Sequence, residues 1–193
     1  MEKNKTSFIK FLVQCGALKF GTFTLKSGKI SPFFINIGQI SSGKELEFLG
    51  KCFAQTLKEN FPEATSLFGP AYKGISLASV ITTSYWQEHQ KDLSVFFDRK
   101  EAKSHGEGGT FIGRTPAKDD RVVIVDDVLT DGATKVDAIK AIEAAFQVTP
   151  IGVMVSVDRS KPDAKTDFKV CSIVDLGDIL DYLFETGDAN AKV

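Results

Sequence analysis

The residues of this chain that could do chemistry gather in three short stretches. In VVIVDDVLTDGAT (residues 122–134) an apolar run ends in two adjacent carboxylates, Asp126 and Asp127, followed by Thr130, Asp131, Gly132 and Thr134. Paired carboxylates can accept hydrogen bonds from neighbouring hydroxyls, as on a ribose, or hold Mg²⁺ through water. Hydroxyls and a glycine ahead of a helix, whose first-turn amides are unpaired, suit a phosphate. One loop could therefore grip a sugar by its hydroxyls and its terminal phosphate together. The plainer alternative is an Asp–Asp turn with Asp131 as a helix N-cap.

The second stretch, DRKEAKSHGEGG (residues 98–109), places Arg99, Lys100, Lys103 and His105 ahead of Gly106, Gly108 and Gly109. Cations on a glycine-hinged segment suit a mobile lid that closes on a polyanion and stabilises a departing pyrophosphate. Glu101 and Glu107 dilute the cluster, and a solvated basic loop is the competing reading. The third stretch, GPAYKG (residues 69–74), holds Lys73 on a turn set by glycine and proline.

The elements that must position these stretches follow from apolar rhythm. From residue 66 the pattern runs strand, loop, helix: SLFG before a helix through Ile75–His89, LSVFF before the basic segment, and RVVIV before a helix through Lys135–Phe146. VTPIGVMVSV and KVCSIVD then give two more strands, with a final apolar-periodic segment through Ile179, Leu180 and Leu183. Near-continuous apolar strands alternating with helices indicate an α/β fold with a parallel sheet covered on both faces. Ligands then sit beyond the carboxyl ends of the strands, which is where all three stretches fall. Upstream, residues 5–16 have helical apolar spacing (Phe8, Phe11, Leu12, Cys15) and a glycine stop at Gly16. Residues 22–38 form two β-rich runs consistent with a hairpin or an irregular strand pair, and Ser42 with Glu45 reads as a capping box opening a helix to about Lys58.

At 193 residues, with 42% hydrophobic and 25% charged residues, the chain reads as one domain of ordinary globular composition. A net charge of -1 removes the main argument for a nucleic-acid or membrane partner. Three dispersed cysteines, Cys15, Cys52 and Cys171, suit a reducing cytoplasm and argue against a disulfide framework. With His89 and His105 as its only histidines, the chain leaves little room for a His-rich zinc site. Lys10, Gln14 and Lys19 interrupt the N-terminal apolar residues, so no signal peptide is expected, and no apolar run is long enough to span a bilayer. The last residues, TGDANAKV, are expected to fray.

Taken together the stretches resemble a known family. VVIVDDVLTDGAT is similar to the phosphoribosyl-pyrophosphate (PRPP) signature of type I phosphoribosyltransferases. With KFGTFTLKSGKISPFFIN, GPAYKGI, FDRKEAKSHGEGG and SVDR it resembles the orotate phosphoribosyltransferases, in order, from about residue 16 to residue 159. The resemblance implies the type I phosphoribosyltransferase fold: one domain over residues 1–193, with an N-terminal hood of about residues 1–40 partly completed by about 159–185. It implies transfer of the 5-phosphoribosyl group from PRPP to orotate, giving orotidine 5′-phosphate and pyrophosphate in pyrimidine biosynthesis. Mg²⁺ would come mainly through PRPP and water, with no metal ligand assigned in the protein. The family's mobile loop reaches a neighbouring subunit's site, which implies a homodimer with shared active sites.

Position by position, the resemblance makes Asp126 and Asp127 hold the ribose hydroxyls, while Val128, Leu129, Thr130, Asp131, Gly132, Ala133 and Thr134 cradle the 5′-phosphate. Lys26, Tyr72, Lys73, Arg99, Lys100, Lys103 and His105 would complete PRPP binding, with Lys103, Asp127, Lys73 and Arg99 carrying catalysis. Lys26, Phe34, Ile35, Thr130 and Arg159 would contact orotate. Three positions depart from the family's pattern: Asp131 stands where a small neutral residue is usual, Ala133 where a hydroxyl is common, and Ile35 replaces an aromatic. A carboxylate in a phosphate loop repels its ligand unless it points outward as a cap, and that is the expectation for Asp131. Two other readings compete. A purine phosphoribosyltransferase would have little use for Lys26 and Arg159, and a regulatory PRPP-binding protein would not need the full set Lys73, Arg99, Lys103 and His105.

Overall fold

In the computed structural model, residues 2–24, 28, 30–103, 109–160 and 166–186 are described. Lys26, His105, Gly106, Gly108 and the tail from 187 onward lie outside these residues, as does the side chain of Lys103.

The VVIV run is continuous because its strand is buried on both sides. Strand β6 (Val122–Leu129) sends Val123 and Val125 into one apolar core and Val122 and Ile124 into another, as side-chain alternation requires. Around it lie β3 (Ser66–Phe68), β4 (Ser94–Lys103), β5 (Gly109–Gly113), β7 (Gly152–Asp158) and β8 (Val170–Asp175). The six strands run in the order β5-β4-β3-β6-β7-β8, all pairs parallel except β4 with β5. The first core is filled from α1 (Glu2–Gln14), α2 (Gly43–Asn60), α3 (Lys73–His89) and α5 (Leu176–Thr186), with Phe8, Phe53, Leu57, Ile81 and Ile179 buried. On the opposite face α4 (Ala133–Phe146) contributes Ile142 against Phe68, Phe96 and Val155. This is the expected α/β architecture, with an antiparallel edge that the apolar pattern does not show.

Local signals behave as their chemistry dictates. Gly16, at φ 70, ends the turn after α1, with its N–H donated to the Val13 carbonyl. Ser42 accepts from the Glu45 N–H while Glu45 accepts from Ser42, closing the capping box at the start of α2. The hairpin consists of β1 (Leu18–Thr24) and β2 (Ile30–Ile35), antiparallel with a register shift between Phe20 and Phe23. It begins earlier than its β-rich runs suggest because Leu18 is buried in the core beside Ala17.

Two strands are longer than their apolar runs. Strand β6 continues past Val125 through Leu129, so Asp126 and Asp127 stand on the strand, paired beside β7, and not in a loop beyond it. Strand β4 continues past Phe97 to Lys103 and pairs with β5 (Phe97 with Ile112, Asp98 with Phe111, Lys103 with Gly109). The segment expected as a loop from residue 99 is thus, over its described part, two arms of a β-hairpin. Backbone pairing overrode a polar sequence that has no apolar periodicity.

Candidate functional site

The parallel strands bring the ends of β3, β4, β6 and β7 to one edge, and direct contacts tie their loops together. After β3 the chain makes the tight GPAYKG turn into α3. A Cβ on Gly69 would fall 2.1 Å from the Gly74 carbonyl oxygen, and one on Gly74 would fall 2.6 Å from Pro70 Cδ. Both glycines are needed for close approach. Asp98, midway along β4, accepts a hydrogen bond from the Ala71 N–H at 2.6 Å and so anchors the turn to the neighbouring strand. The turn presents Tyr72, exposed, with Lys100 Nζ 4.7 Å from its ring centre, a cation–π contact. Arg99 sits half-buried alongside on β4.

Lys73, the first residue of α3, extends to Asp127: Nζ lies 2.6 Å from Oδ2, with 52% of the lysine side chain exposed. The other Asp127 oxygen accepts from the Val128 N–H at 2.9 Å. Ser156 of β7 donates its hydroxyl to the Asp127 carbonyl, fixing the strand beneath it. Asp126, as little exposed as Asp127, meets a different lysine. Its Oδ1 accepts from the Asp127 N–H at 2.8 Å, and its Oδ2 pairs with Lys135 Nζ. Burial pushes the Asp126 carboxyl above the usual carboxylate range, and the Lys135 ammonium opposes that shift.

Behind the aspartates the loop turns into α4. Gly132, at φ 78, takes the N-cap position without a side-chain cap bond. Asp131 caps from one place earlier: exposed, it accepts from the Ala133 N–H at 3.1 Å. It is therefore an Asx-type cap and not the N-cap residue itself. Thr130, Ala133 and Thr134 are exposed, and Leu129 is buried in the core, so Leu129 can offer a ligand its backbone but not its side chain.

The hairpin stands over the same edge. Strand alternation leaves Phe34 exposed while Phe33 and Ile35 are buried. Phe34 and Ile35 therefore cannot both offer side chains to one flat ligand; Ile35 packs in the core. Arg159, just after β7, places its guanidinium carbon 5.0 Å from the Phe33 ring centre, while its backbone N–H donates to the Leu129 carbonyl. Burial lowers its pKa. Lys26, between β1 and β2, lies outside the described residues.

Among the described residues, no group of three or more His, Cys, Asp or Glu is placed to hold a metal ion. Asp126 and Asp127 already have lysine partners. This donor set does not make a metal cage of protein ligands.

The sequence matches the phosphoribosyl transferase domain family over residues 36–179. It is 40% identical to the orotate phosphoribosyltransferase of Saccharophagus degradans, over 100% of this chain and 95% of that protein. It is equally 40% identical to the Salmonella typhi orotate phosphoribosyltransferase, over 97% of this chain and 92% of that one. The chain belongs to the orotate phosphoribosyltransferase family. A crystal structure of the Francisella tularensis orotate phosphoribosyltransferase, 31% identical, shares the fold with a TM-score of 0.80 over 96% of each chain.

Within this orotate phosphoribosyltransferase fold, sequence reasoning passed over four residues that shape the site. Asp98 ties β4 to the GPAYKG turn, Ser156 braces Asp127, Phe33 carries Arg159, and Lys135 engages Asp126. Only Lys135 left a signal. A lysine in the first turn of a helix opposes the helix dipole and calls for an anionic partner nearby.

Proposed function

We infer that the chain transfers the 5-phosphoribosyl group of PRPP to orotate, giving orotidine 5′-phosphate and pyrophosphate. The observation that carries this reading is full-length identity to proteins named orotate phosphoribosyltransferase. The geometry supports it, because two carboxylates, an anion-ready helix terminus and cations from α3 and β4 meet at one sheet edge. Asp126 and Asp127 accept from the ribose hydroxyls, and the backbone from Val128 to Thr134 surrounds the 5′-phosphate at the start of α4. Lys73 leaves Asp127 for the pyrophosphate as PRPP enters. Its half-exposed side chain makes that exchange inexpensive, since an exposed ion pair contributes about 1 kcal/mol or less.

Departure of pyrophosphate leaves cationic character on the ribose, so catalysis consists of stabilising the leaving anion while orotate is held close. Lys73, Arg99, Lys100, Lys103 and His105 supply positive charge to that end. Mg²⁺ belongs to this reading as the counter-ion that PRPP brings with it, not as a protein-held group. Arg159 and Lys26 answer the orotate carboxylate, Phe34 gives the ring an apolar wall, and Thr130 adds a further contact. The β4–β5 hairpin carries the basic lid, which excludes water that would hydrolyse the activated sugar and completes the site of a second subunit in a homodimer. Three free cysteines fit a cytoplasmic setting.

The test is direct. With Mg²⁺, PRPP and orotate present, orotate absorbance is expected to fall, while adenine and hypoxanthine give no turnover. Absence of orotate turnover, or preference for a purine, overturns the reading. A Lys103→Ala chain is expected to lose turnover yet keep most of its orotate binding; near-normal turnover would remove the lid assignment.

A further inference from the structure

The two aspartates are served by two lysines in very different settings. Lys73 meets Asp127 with half its side chain in solvent, whereas Lys135 meets Asp126 with 4% of the residue exposed. Lys135 lies in the first turn of α4, the positive end of the helix dipole, and its ammonium is removed from water. Both conditions disfavour a lysine, and a buried charge persists only when paired and hydrogen-bonded. Its partners are Asp126 Oδ2 and, at 3.3 Å, Thr134 Oγ1 of the same first turn of α4. Asp126 Oδ1 is held in turn by the Asp127 N–H. Both oxygens of this carboxylate are thus anchored from within the protein. A carboxylate has about four acceptor sites, so anchoring leaves lone pairs for a hydroxyl while removing the freedom to rotate.

We propose that Lys135 is a positioning residue: from inside the fold it fixes Asp126 in the orientation a ribose hydroxyl needs, leaving Asp127 as the exchangeable partner of Lys73. The proposal rests on the assignment of Asp126 and Asp127 to the ribose. It separates the carboxylates into a fixed acceptor and a switched one. Lys135 acts through Asp126 and not as a charge that attracts phosphate, because Asp126 neutralises it at contact.

Binding of ribose 5-phosphate and of inorganic phosphate, measured by calorimetry on the whole protein, distinguishes these roles. Lys135→Met is expected to weaken ribose 5-phosphate by about tenfold, equivalent to about 1.4 kcal/mol, and to change inorganic phosphate by less than about threefold. In an Asp126→Asn background, Lys135→Met is expected to have almost no further effect on ribose 5-phosphate, the signature of two residues acting as one unit. The doubly neutral pair also keeps the test alive if Lys135→Met alone fails to fold, since replacing both charges is tolerated better than stranding one. Equal weakening of both ligands, additive effects of the two substitutions, or unchanged ribose 5-phosphate binding would each overturn the proposal. Wild-type protein that turns over orotate with Lys135→Met unaffected sinks the proposal alone. Wild-type protein that neither binds ribose 5-phosphate nor turns over orotate sinks the functional reading beneath it.

Discussion

Asp131 puts a negative charge in the loop proposed to receive a phosphate, and its geometry sets how much that charge matters. Its carboxylate is exposed and accepts from the Ala133 N–H at 3.1 Å, at the first residue of α4. Two effects oppose each other. Repulsion between a carboxylate and a phosphate dianion about 6 Å away in water-like surroundings amounts to about 1.4 kcal/mol, and screening at physiological salt roughly halves it. Against this, the cap pre-orders the loop, and such caps contribute about 0.5–2 kcal/mol. Asp131→Asn keeps an acceptor oxygen and removes the charge, so PRPP should bind about threefold more tightly, the equivalent of about 0.7 kcal/mol. Asp131→Ala removes both effects, and its PRPP affinity should stay within about tenfold of wild type, or about 1.4 kcal/mol. Calorimetric titration with PRPP at low and physiological salt reads both changes, and the Asp131→Asn gain should shrink as salt rises. A gain well beyond tenfold in Asp131→Ala would refute the reasoning. It would mean that the carboxylate occupies the phosphate position and that the ligand must displace it from the Ala133 amide.

Three further outcomes follow from the same structure. Gly69→Ala places a Cβ 2.1 Å from the Gly74 carbonyl oxygen, a backbone clash that rotation of a side chain cannot relieve. It should destabilise by about 1–3 kcal/mol and lower Tm by roughly 2–12 °C; an unchanged melting curve would show that the turn yields. The Cys52 thiol, pushed up to about 12 by burial, should resist iodoacetamide at pH 8 in the folded protein and react once the chain is unfolded. Because its folded pKa lies above its unfolded value, its contribution to stability is intact below pH 9 and is lost as pH climbs toward 12. Rapid native labelling at Cys52, located by mass spectrometry, would contradict that burial. Finally, Lys73→Met should lower kcat/KM for PRPP by about 100-fold, the scale seen when one donor to a developing anion is lost, with Tm shifting by about 3 °C or less because its exposed pair with Asp127 adds little stability. A Tm fall well beyond about 3 °C would mean that Lys73 is chiefly structural.

The sequence reading succeeded where one local pattern had one physical cause and faltered where partners are distant. VVIV declares a strand buried on both faces, and Ser42 with Glu45 declares a helix start, because each signal is complete within a few residues. The end of β6 was misplaced for the opposite reason. Asp126 and Asp127 look like the start of a loop, since nothing nearby in sequence announces that Lys73 pairs with Asp127 and that β7 continues the ladder beside them. The basic segment after Phe97 hid its strand in the same way, because its partners, Phe111 and Gly109, lie on β5 and the sequence between has no apolar alternation. Phe34 and Ile35 show the limit of carrying motif positions over as a block: neighbours on a strand face opposite ways, so one points outward and the other belongs to the core. At the two strand ends the unread information was the identity of a partner that neutralises a charge or completes a backbone hydrogen bond. That makes the first-turn lysine the most instructive miss. Its cost at a helix N-terminus could be read from the chain alone, and asking which anion offsets that cost leads straight to Asp126.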